Sequence, residues 1–252
     1  MSFNVAADSY DRFMGRYSVP LAPQFADFAS VAGGQRVLDV GCGPGALTGE
    51  LIRRVDPRHI NAVDPSDTFV GAARERYPAV TVQRAAAEQL PFDDDTFDVA
   101  LAQLVVHFMA DPVAGLREMG RVTRQLGTVA ACVWDLEGGK APLSVFWEAA
   151  RELEPDVRTE AGMAGAREGH LAKLFNEAGL RDVVDSKLSI SVEHQSFDDW
   201  WQPYTLGVGP AGKYAAGLDP GRLERLRELC RDRLPTAPFK MTAQAWAARG
   251  SV

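Results

Sequence analysis

The chain has 252 residues, 46% hydrophobic and 24% charged, which is enough for one large α/β domain or one domain with a small cap. Its net charge of −7 argues against a nucleic-acid substrate, because phosphate binding needs a basic surface. Its three cysteines lie far apart and suit a reducing cytoplasm, and no apolar run is long enough to cross a bilayer. The four histidines are equally scattered, so we expect no metal site.

The first predicted helix covers residues 21–31 and ends at Gly33 and Gly34. Residues 8–18 precede it and mix aromatic side chains with arginines. That composition is typical of an amphipathic surface helix whose arginines face solvent.

A strand, a glycine turn and a helix follow one another next. Residues 37–40 form an apolar run of strand length, and residues 46–54 form a helix with one apolar face. The turn Gly41-Cys42-Gly43-Pro44-Gly45 lets backbone approach a ligand closely, and the helix begins with unpaired N–H groups. This order is typical of the nucleotide-binding corner of a doubly wound sheet.

Two details of this turn favour S-adenosylmethionine over a dinucleotide. Gly41, Gly43 and Ala46 fit the dinucleotide fingerprint, which alone is a weak signal. Gly45 is a further glycine, and Asp39 places a carboxylate two residues before the first one. That charge would repel a pyrophosphate and suit an ammonium and a sulfonium. Alternatively, Asp39 ties down the turn through backbone N–H groups.

A second acid, Asp64, ends the strand predicted over residues 59–64, 19 residues after Gly45. A carboxylate there can accept two hydrogen bonds from ribose hydroxyls, as in dinucleotide folds. The alternative is an N-cap for the helix predicted over residues 66–77. For Cys42, between the glycines, a small side chain facing the ligand is favoured over a nucleophile.

The next predicted strands cover residues 80–84, 97–103 and 128–134. Ligands of such sheets bind at the carboxyl ends of the strands, so the end of the fourth strand borders the site. His107 follows that strand and is the only histidine near the expected reaction centre, which makes it the candidate general base. A hydrogen-bonded structural histidine is the alternative.

The second half of the chain has a looser pattern. Helices are predicted over residues 168–178, from residue 198, and over 222–234, with a glycine- and proline-rich loop at 207–221. Residues 183–193 form a long strand, and residues 239–248 form a final edge strand antiparallel to it. Trp200, Trp201, Tyr204 and Tyr214 either line a pocket or form a small separate core.

The segment Leu38-Asp39-Val40-Gly41-Cys42-Gly43-Pro44-Gly45 resembles the first motif of class I S-adenosylmethionine-dependent methyltransferases. It is most similar to the small-molecule group around the quinone-biosynthesis C-methyltransferases. Residues 85–92 resemble that group's adenine-lining segment, and the likeness covers about residues 8–135. The resemblance specifies a cofactor and leaves the acceptor open.

The resemblance implies which positions bind the cofactor and, for several of them, which part of it they contact. Tyr10 and Arg16 would meet the methionine carboxylate from a lid, and Gln103 and Leu104 would lie beside the methionine moiety. Pro65 would touch the adenine. The full set expected to bind the cofactor is Tyr10, Arg16, Asp39, Gly41, Cys42, Gly43, Gly45, Asp64, Pro65, Ala87, Glu88, Gln103 and Leu104.

One position departs from the family pattern. Ala86 stands where the family often has an Asp that binds the adenine amino group. That hydrogen bond would then come from Glu88, from the backbone or from water.

Together these elements predict an α/β fold with a doubly wound, Rossmann-like, seven-stranded sheet, mostly parallel with an antiparallel final strand, plus a small helical cap. We expect one methyltransferase domain over residues 1–252. Its core covers about 21–135, 168–194 and 236–252, its cap about 136–167 and 195–235, and its N-terminal lid 1–20.

The predicted function is methyl transfer from S-adenosylmethionine to a small organic acceptor by in-line displacement, in the cytoplasm and without nucleic acid, membrane or metal. An NAD(P)-dependent oxidoreductase is one alternative, but a second parallel nucleotide half does not follow the fourth strand. A non-catalytic S-adenosylmethionine-binding regulatory protein is the other. The identity of the acceptor and the oligomeric state stay open.

Overall fold

The computed structural model describes residues 7–252. Its seven strands are β1 (Val37–Val40), β2 (Ile60–Asp64), β3 (Thr81–Arg84), β4 (Phe97–Gln103), β5 (Thr123–Trp134), β6 (Arg181–His194) and β7 (Phe239–Ser251). Its helices are α1 (Ala7–Tyr10), α2 (Arg16–Phe28), α3 (Ala46–Leu51), α4 (Asp67–Arg76), α5 (Pro112–Val122), α6 (Ser144–Leu153), α7 (His170–Glu177), α8 (Phe197–Trp201), α9 (Gly209–Ala216) and α10 (Pro220–Arg233). A π-helical turn, Asp11–Gly15, joins α1 to α2.

The strands form one sheet in the order β3-β2-β1-β4-β5-β7-β6. Strands β1 to β5 are parallel, and β7 is antiparallel to both of its neighbours. The predicted fold class is therefore confirmed. The chain order reverses between β1 and β4, so the carboxyl ends of these two strands flank the crevice in which such sheets bind ligands.

The core lies on both faces of this sheet. Alternate side chains of a strand point to opposite faces, so Val37 belongs to one apolar cluster while Leu38 and Val40 belong to another. The first cluster includes α2, which contributes Tyr17, Leu21 and Phe25 at helical spacing. Burial on both faces explains why β1 is apolar throughout.

Three details differ from the predicted elements. β7 lies between β5 and β6, so β6 and not the last strand is the edge, because the backbone of β7 pairs with both neighbours. Residues 207–221 contain the helix α9, which begins at glycine and proline. Helix α2 starts at Arg16 and has Pro20 and Pro23 inside it.

The two insertions, residues 136–167 and 195–235, pack against each other. Phe146 of α6 stacks on Tyr204, with ring centroids 4.6 Å apart, and the Tyr204 hydroxyl donates to the Pro142 carbonyl at 3.2 Å. Tyr214 contacts the Trp147 ring. The aromatic residues of the second insertion thus pack on the first one, and Trp200, Trp201 and Tyr204 are buried.

No helix in the described part of the chain, residues 7–252, has the length and apolar character needed to span a bilayer. Over the same residues, no group of three or more histidine, cysteine or acidic side chains is arranged to hold a metal ion.

Candidate functional site

A cavity of about 520 Å³ lies at the carboxyl ends of β1, β2 and β4. We call this cavity the cofactor groove. Its volume is typical of small-molecule sites. Nine of the positions predicted to bind the cofactor line it: Tyr10, Gly41, Gly43, Asp64, Pro65, Ala87, Glu88, Gln103 and Leu104. The parallel strands bring them together because all their carboxyl ends lie at one edge.

Asp64 holds the glycine turn against the end of β2. Its Oδ2 accepts a hydrogen bond from the Gly43 N–H at 2.9 Å, and its Oδ1 accepts one from the Ser66 N–H at 2.8 Å. The side chain is 6% exposed, and burial raises its carboxyl pKa while these two N–H groups lower it. The N-cap of α4 is Ser66, so Asp64 is not the capping residue.

The N–H groups of the glycine turn already have acceptors within the protein. Those of Gly41 and Cys42 donate to the Val63 carbonyl at 2.8 and 2.9 Å, and that of Gly45 donates to the Cys42 carbonyl at 3.0 Å. With Gly43 bound to Asp64, the turn offers a diphosphate none of these four N–H groups. A dinucleotide loop uses such groups to bind pyrophosphate, so this geometry disfavours NAD(P).

Gly41 is required by close packing as well as by conformation. Its φ is +71°, and a Cβ at this position would lie 2.5 Å from both Cγ atoms of Val105. The loop after β4 therefore rests directly on the turn after β1. This contact brings the two walls of the groove together.

Gly45 and Cys42 do not line the groove, contrary to the prediction. A Cβ on Gly45, whose φ is +100°, would lie 2.4 Å from Tyr77, so this glycine serves packing beneath the turn. Cys42 is buried in the core cluster, and burial raises the pKa of its thiol well above the ordinary value. The turn points both residues away from the cavity.

Asp39 also lies outside the wall of the groove. It is 1% exposed, and the Thr48 hydroxyl donates to its Oδ2 at 2.6 Å, which ties β1 to α3. Burial raises the carboxyl pKa to about 7, an effect that the Thr48 hydrogen bond opposes. Asp39, which the sequence predicts as a ligand-binding carboxylate, is therefore not among the residues that line the groove.

Gln103 and Leu104 form the wall at the end of β4. Gln103 Nε2 donates to the Ser18 carbonyl at 3.1 Å, while its Oε1 is buried without a hydrogen-bond partner in the described part of the chain. Leu104 has a φ of +62°, which is uncommon for a leucine and typical of strained positions at functional sites.

Tyr10 reaches the groove, and Arg16 does not. Tyr10 packs edge-on against Phe69, with ring centroids 5.2 Å apart, and burial raises its hydroxyl pKa. Arg16 donates to the Asp199 carboxylate and carbonyl, both at 2.8 Å, and lies 3.0 Å from His194 Nδ1. These partners hold its guanidinium on α8 and β6, outside the groove. The part of the predicted lid before residue 7 lies outside the described residues.

Glu88 connects two loops that border the groove. Its Oε1 accepts from the N–H groups of Ala110 and Asp111, at 2.7 and 3.2 Å. Ala86 also lines the groove. Glu88 thus has a positioning role that the sequence did not indicate.

A second, smaller cavity of about 40 Å³ adjoins the groove. This acceptor chamber shares Tyr10, Leu104 and Phe108 with the groove. The rest of its wall is mostly apolar: Phe13, Met14, His107, Trp134, Leu136, Leu143, Glu160, Val208, Gly209, Pro210 and Ala211. Both insertions contribute to this wall.

His107, the candidate general base predicted from the sequence, lies on the wall of this smaller cavity. It is 8% exposed, its Nδ1 has no hydrogen-bond partner within residues 7–252, and burial lowers its pKa to about 3. A histidine with that pKa is neutral near pH 7 and is a weak proton acceptor.

Glu160 is the residue on this wall that sequence reasoning missed. It is 4% exposed, its Oε2 accepts from Trp147 Nε1 at 2.9 Å, and burial raises its pKa to about 7. It lies in an irregular segment without a motif, so only the folded chain reveals that this acid is buried.

Comparisons with known proteins place similar sequences among methyltransferases. Residues 38–131 match a family model described as a methyltransferase domain. The chain is 32% identical over 150 residues to the rice protein 2-methyl-6-phytyl-1,4-hydroquinone methyltransferase 2, covering 59% of this chain and 39% of that one. It is 31% identical over 167 residues to the malonyl-[acyl-carrier protein] O-methyltransferase of Erwinia billingiae, covering 64% and 65% respectively.

The fold is also found among solved structures. The YcgJ protein of Bacillus subtilis superimposes with a TM-score of 0.58 at 20% identity, over 91% of this chain and 97% of that one. This chain spans between 39 and 65% of the length of the two methyltransferases above. The matched model and these relatives show that residues 38–131 form an S-adenosylmethionine-dependent methyltransferase domain.

Proposed function

We propose that this chain transfers the methyl group of S-adenosylmethionine to a small organic acceptor by in-line displacement. The observation that carries the proposal is the junction of the cofactor groove and the acceptor chamber at Tyr10, Leu104 and Phe108. A sulfonium methyl held at this junction would face the chamber. The cofactor supplies the reactive methyl, and the protein supplies orientation and exclusion of water.

The residues present fit the cofactor. The buried, unpartnered Gln103 Oε1 is an acceptor suited to the ammonium of the methionine moiety. Asp64 retains lone pairs for the ribose hydroxyls, and Pro65 with residues 85–88 borders the space for the adenine. We therefore retain the nine groove residues as the cofactor site and leave out Arg16, Asp39, Cys42 and Gly45.

The domain assignments remain part of this proposal. Residues 136–167 and 195–235 would form a cap over the acceptor, supported by their shared contacts and their place on the chamber wall. The chain up to residue 20 would form the lid, supported by Tyr10, Phe13 and Met14 on that wall. Three free cysteines support a reducing cytoplasm.

A small acceptor is supported by the narrowness of the chamber and by a relative named for methyl transfer to a hydroquinone. We place no nucleic acid among its partners, because the net charge is −7. The oxidoreductase alternative is disfavoured by the occupied N–H groups of the glycine turn.

Calorimetric titration tests the cofactor assignment. S-adenosylhomocysteine should bind to ligand-free protein with one site per chain, while NADH should give no heat. Release of S-adenosylhomocysteine during incubation with S-adenosylmethionine and a metabolite extract then tests transfer. Binding without any release across the extract would favour the regulatory alternative, and NADH binding would contradict the assignment.

A further inference from the structure

We propose that Glu160 binds the acceptor's nucleophilic group and takes up its proton, which makes the acceptor a neutral molecule with an O–H or N–H donor on an otherwise apolar body. This inference rests on the proposed methyl transfer. It names the proton acceptor and the acceptor class, which the family does not specify for this chain.

Position is the first support. Glu160 lies on the wall of the chamber that meets the cofactor groove, and it is 4% exposed. A buried carboxyl is costly unless it is hydrogen-bonded or paired, and within residues 7–252 its one side-chain hydrogen bond comes from Trp147 Nε1 to Oε2. The second oxygen is left for a donor inside the chamber.

The charge of the chamber is the second support. No lysine or arginine is among the residues that line it. A carboxylate or phosphate acceptor would find no cation there and would meet the Glu160 charge. A neutral donor faces no such repulsion.

The proton-acceptor role is consistent with the surroundings of Glu160. The other titratable groups on the chamber wall are His107 and Tyr10, and Tyr204 interacts electrostatically with Glu160. Burial lowers the pKa of His107 to about 3 and raises those of both tyrosines, so none of the three accepts a proton readily near pH 7. Burial raises the Glu160 pKa to about 7, which is the range suited to a general base.

The proposed step balances as follows. The lone pair of the acceptor oxygen or nitrogen forms a bond to the methyl carbon. The bond between that carbon and sulfur breaks, and its electron pair stays on sulfur as a neutral thioether. The proton of the acceptor's O–H or N–H passes to Glu160 Oε1 or Oε2 and leaves to solvent when the product departs.

The test uses three ring compounds of similar size: 4-methylphenol, the 4-methylbenzoate anion and 4-methylanisole. With S-adenosylhomocysteine bound, wild-type protein should bind 4-methylphenol about tenfold or more tightly than the other two. Glu160→Gln keeps an acceptor for Trp147 and removes the charge, and it should abolish this preference. Glu168→Gln, an exposed position in the same segment, should keep it.

Kinetics and spectroscopy provide independent readouts. Methyl transfer to 4-methylphenol should fall about a hundredfold in Glu160→Gln, and the rise in wild-type rate near pH 7 should disappear. The Trp147 indole proton resonance should titrate near pH 7 in wild type and not in the variant, because that N–H contacts the carboxyl.

The outcomes distinguish a failure of this inference from a failure of the proposed methyl transfer on which it rests. If S-adenosylhomocysteine binds but 4-methylphenol shows no preference over 4-methylbenzoate, or if Glu160→Gln matches wild type, the role of Glu160 is wrong and the cofactor assignment stands. If wild type does not bind S-adenosylhomocysteine, both proposals fail. Unchanged S-adenosylhomocysteine affinity in Glu160→Gln shows that the variant is folded.

Discussion

At the scale of single residues, the two acids near the glycine turn have different functions. Asp64 lines the groove and holds Gly43, whereas Asp39 is buried behind the wall and holds Thr48. The sequence could place both acids at strand ends. It could not distinguish them, because the difference depends on which face of the turn each side chain meets.

Asp64→Asn should weaken S-adenosylhomocysteine binding about 10- to 100-fold. The amide has one acceptor oxygen in place of two, so it cannot satisfy both the Gly43 and Ser66 N–H groups, and hydrogen bonds to charged groups contribute about 1.5–3 kcal/mol. Calorimetric titration measures the change. Asp93→Asn, in an exposed turn, is the control, and equal affinity in both variants would contradict a role for Asp64 in the groove.

Asp39 should make the fold less stable as pH rises. Its pKa is about 7 in the folded state against an ordinary 3.8, so the folded chain binds more protons between these values. Its contribution to the free energy of unfolding should therefore fall by up to about 1.4 kcal/mol per pH unit from pH 4 to 7 and then level off.

Asp39→Asn removes this titration and keeps an acceptor for Thr48. Urea unfolding of wild type and variant at pH 5 and pH 8 measures the difference in the free energy of unfolding, in which the carboxyls that do not interact with Asp39 cancel; Asp64 does interact with it. The variant should gain stability relative to wild type at pH 8. A pH-independent difference would show that the Asp39 pKa is ordinary.

At the scale of elements, the site depends on the loop after β4 resting on the turn after β1. Gly41 and Val105 make this contact, and the backbone of Gly41 is left-handed. The glycine spacing predicts that the backbone of this turn approaches a ligand closely. That the approaching group is Val105 of another loop became visible only in the packed structure.

Gly41→Ala should lower the free energy of unfolding by about 2–5 kcal/mol, from the left-handed backbone and from overpacking. In a Val105→Ala background the overpacking should disappear. Gly41→Ala should then lower the free energy of unfolding by only about 1–2 kcal/mol, from the left-handed backbone. Gly43→Ala should also lower the free energy of unfolding by only this smaller amount, because the atom nearest to its added Cβ would be 4.0 Å away. Denaturant unfolding of the four variants checks this, and equal costs in both backgrounds would rule out the contact.

The misplaced elements have physical reasons as well. Residues 207–221 contain five glycines and two prolines, which indicate a loop, yet Gly209 and Pro210 begin α9 and tertiary contacts bury one face of it. Apolar and polar residues alternate less clearly along β7 than along β6. The place of β7 inside the sheet follows from its pairing with β5. Local pattern does not determine strand order when two strands are both plausible neighbours.

At the scale of the whole molecule, the groove joins β1, β2, β4 and the residues of the N-terminal segment, so its ligand should stabilise the entire fold. At 100 times its dissociation constant, S-adenosylhomocysteine should add about 2.7 kcal/mol. For a domain of this size that corresponds to a rise in Tm of about 5–10 °C. Thermal unfolding followed by circular dichroism measures it; NADH is the control, and a similar rise with NADH would contradict the cofactor assignment.

The sequence by itself predicts the fold class, the kind of cofactor and nine of the positions that line the groove. It can do so because the strand–turn–helix periodicity and the glycine spacing are local patterns that repeat in every sheet of this kind. Only the tertiary structure shows that Asp39 and Asp64 have different partners, that Arg16 pairs with Asp199, and that Glu160 is buried on the wall of the smaller cavity. Such distinctions depend on contacts between residues far apart in the chain. Burial and the pKa values that it changes arise from those contacts and not from the neighbours in sequence.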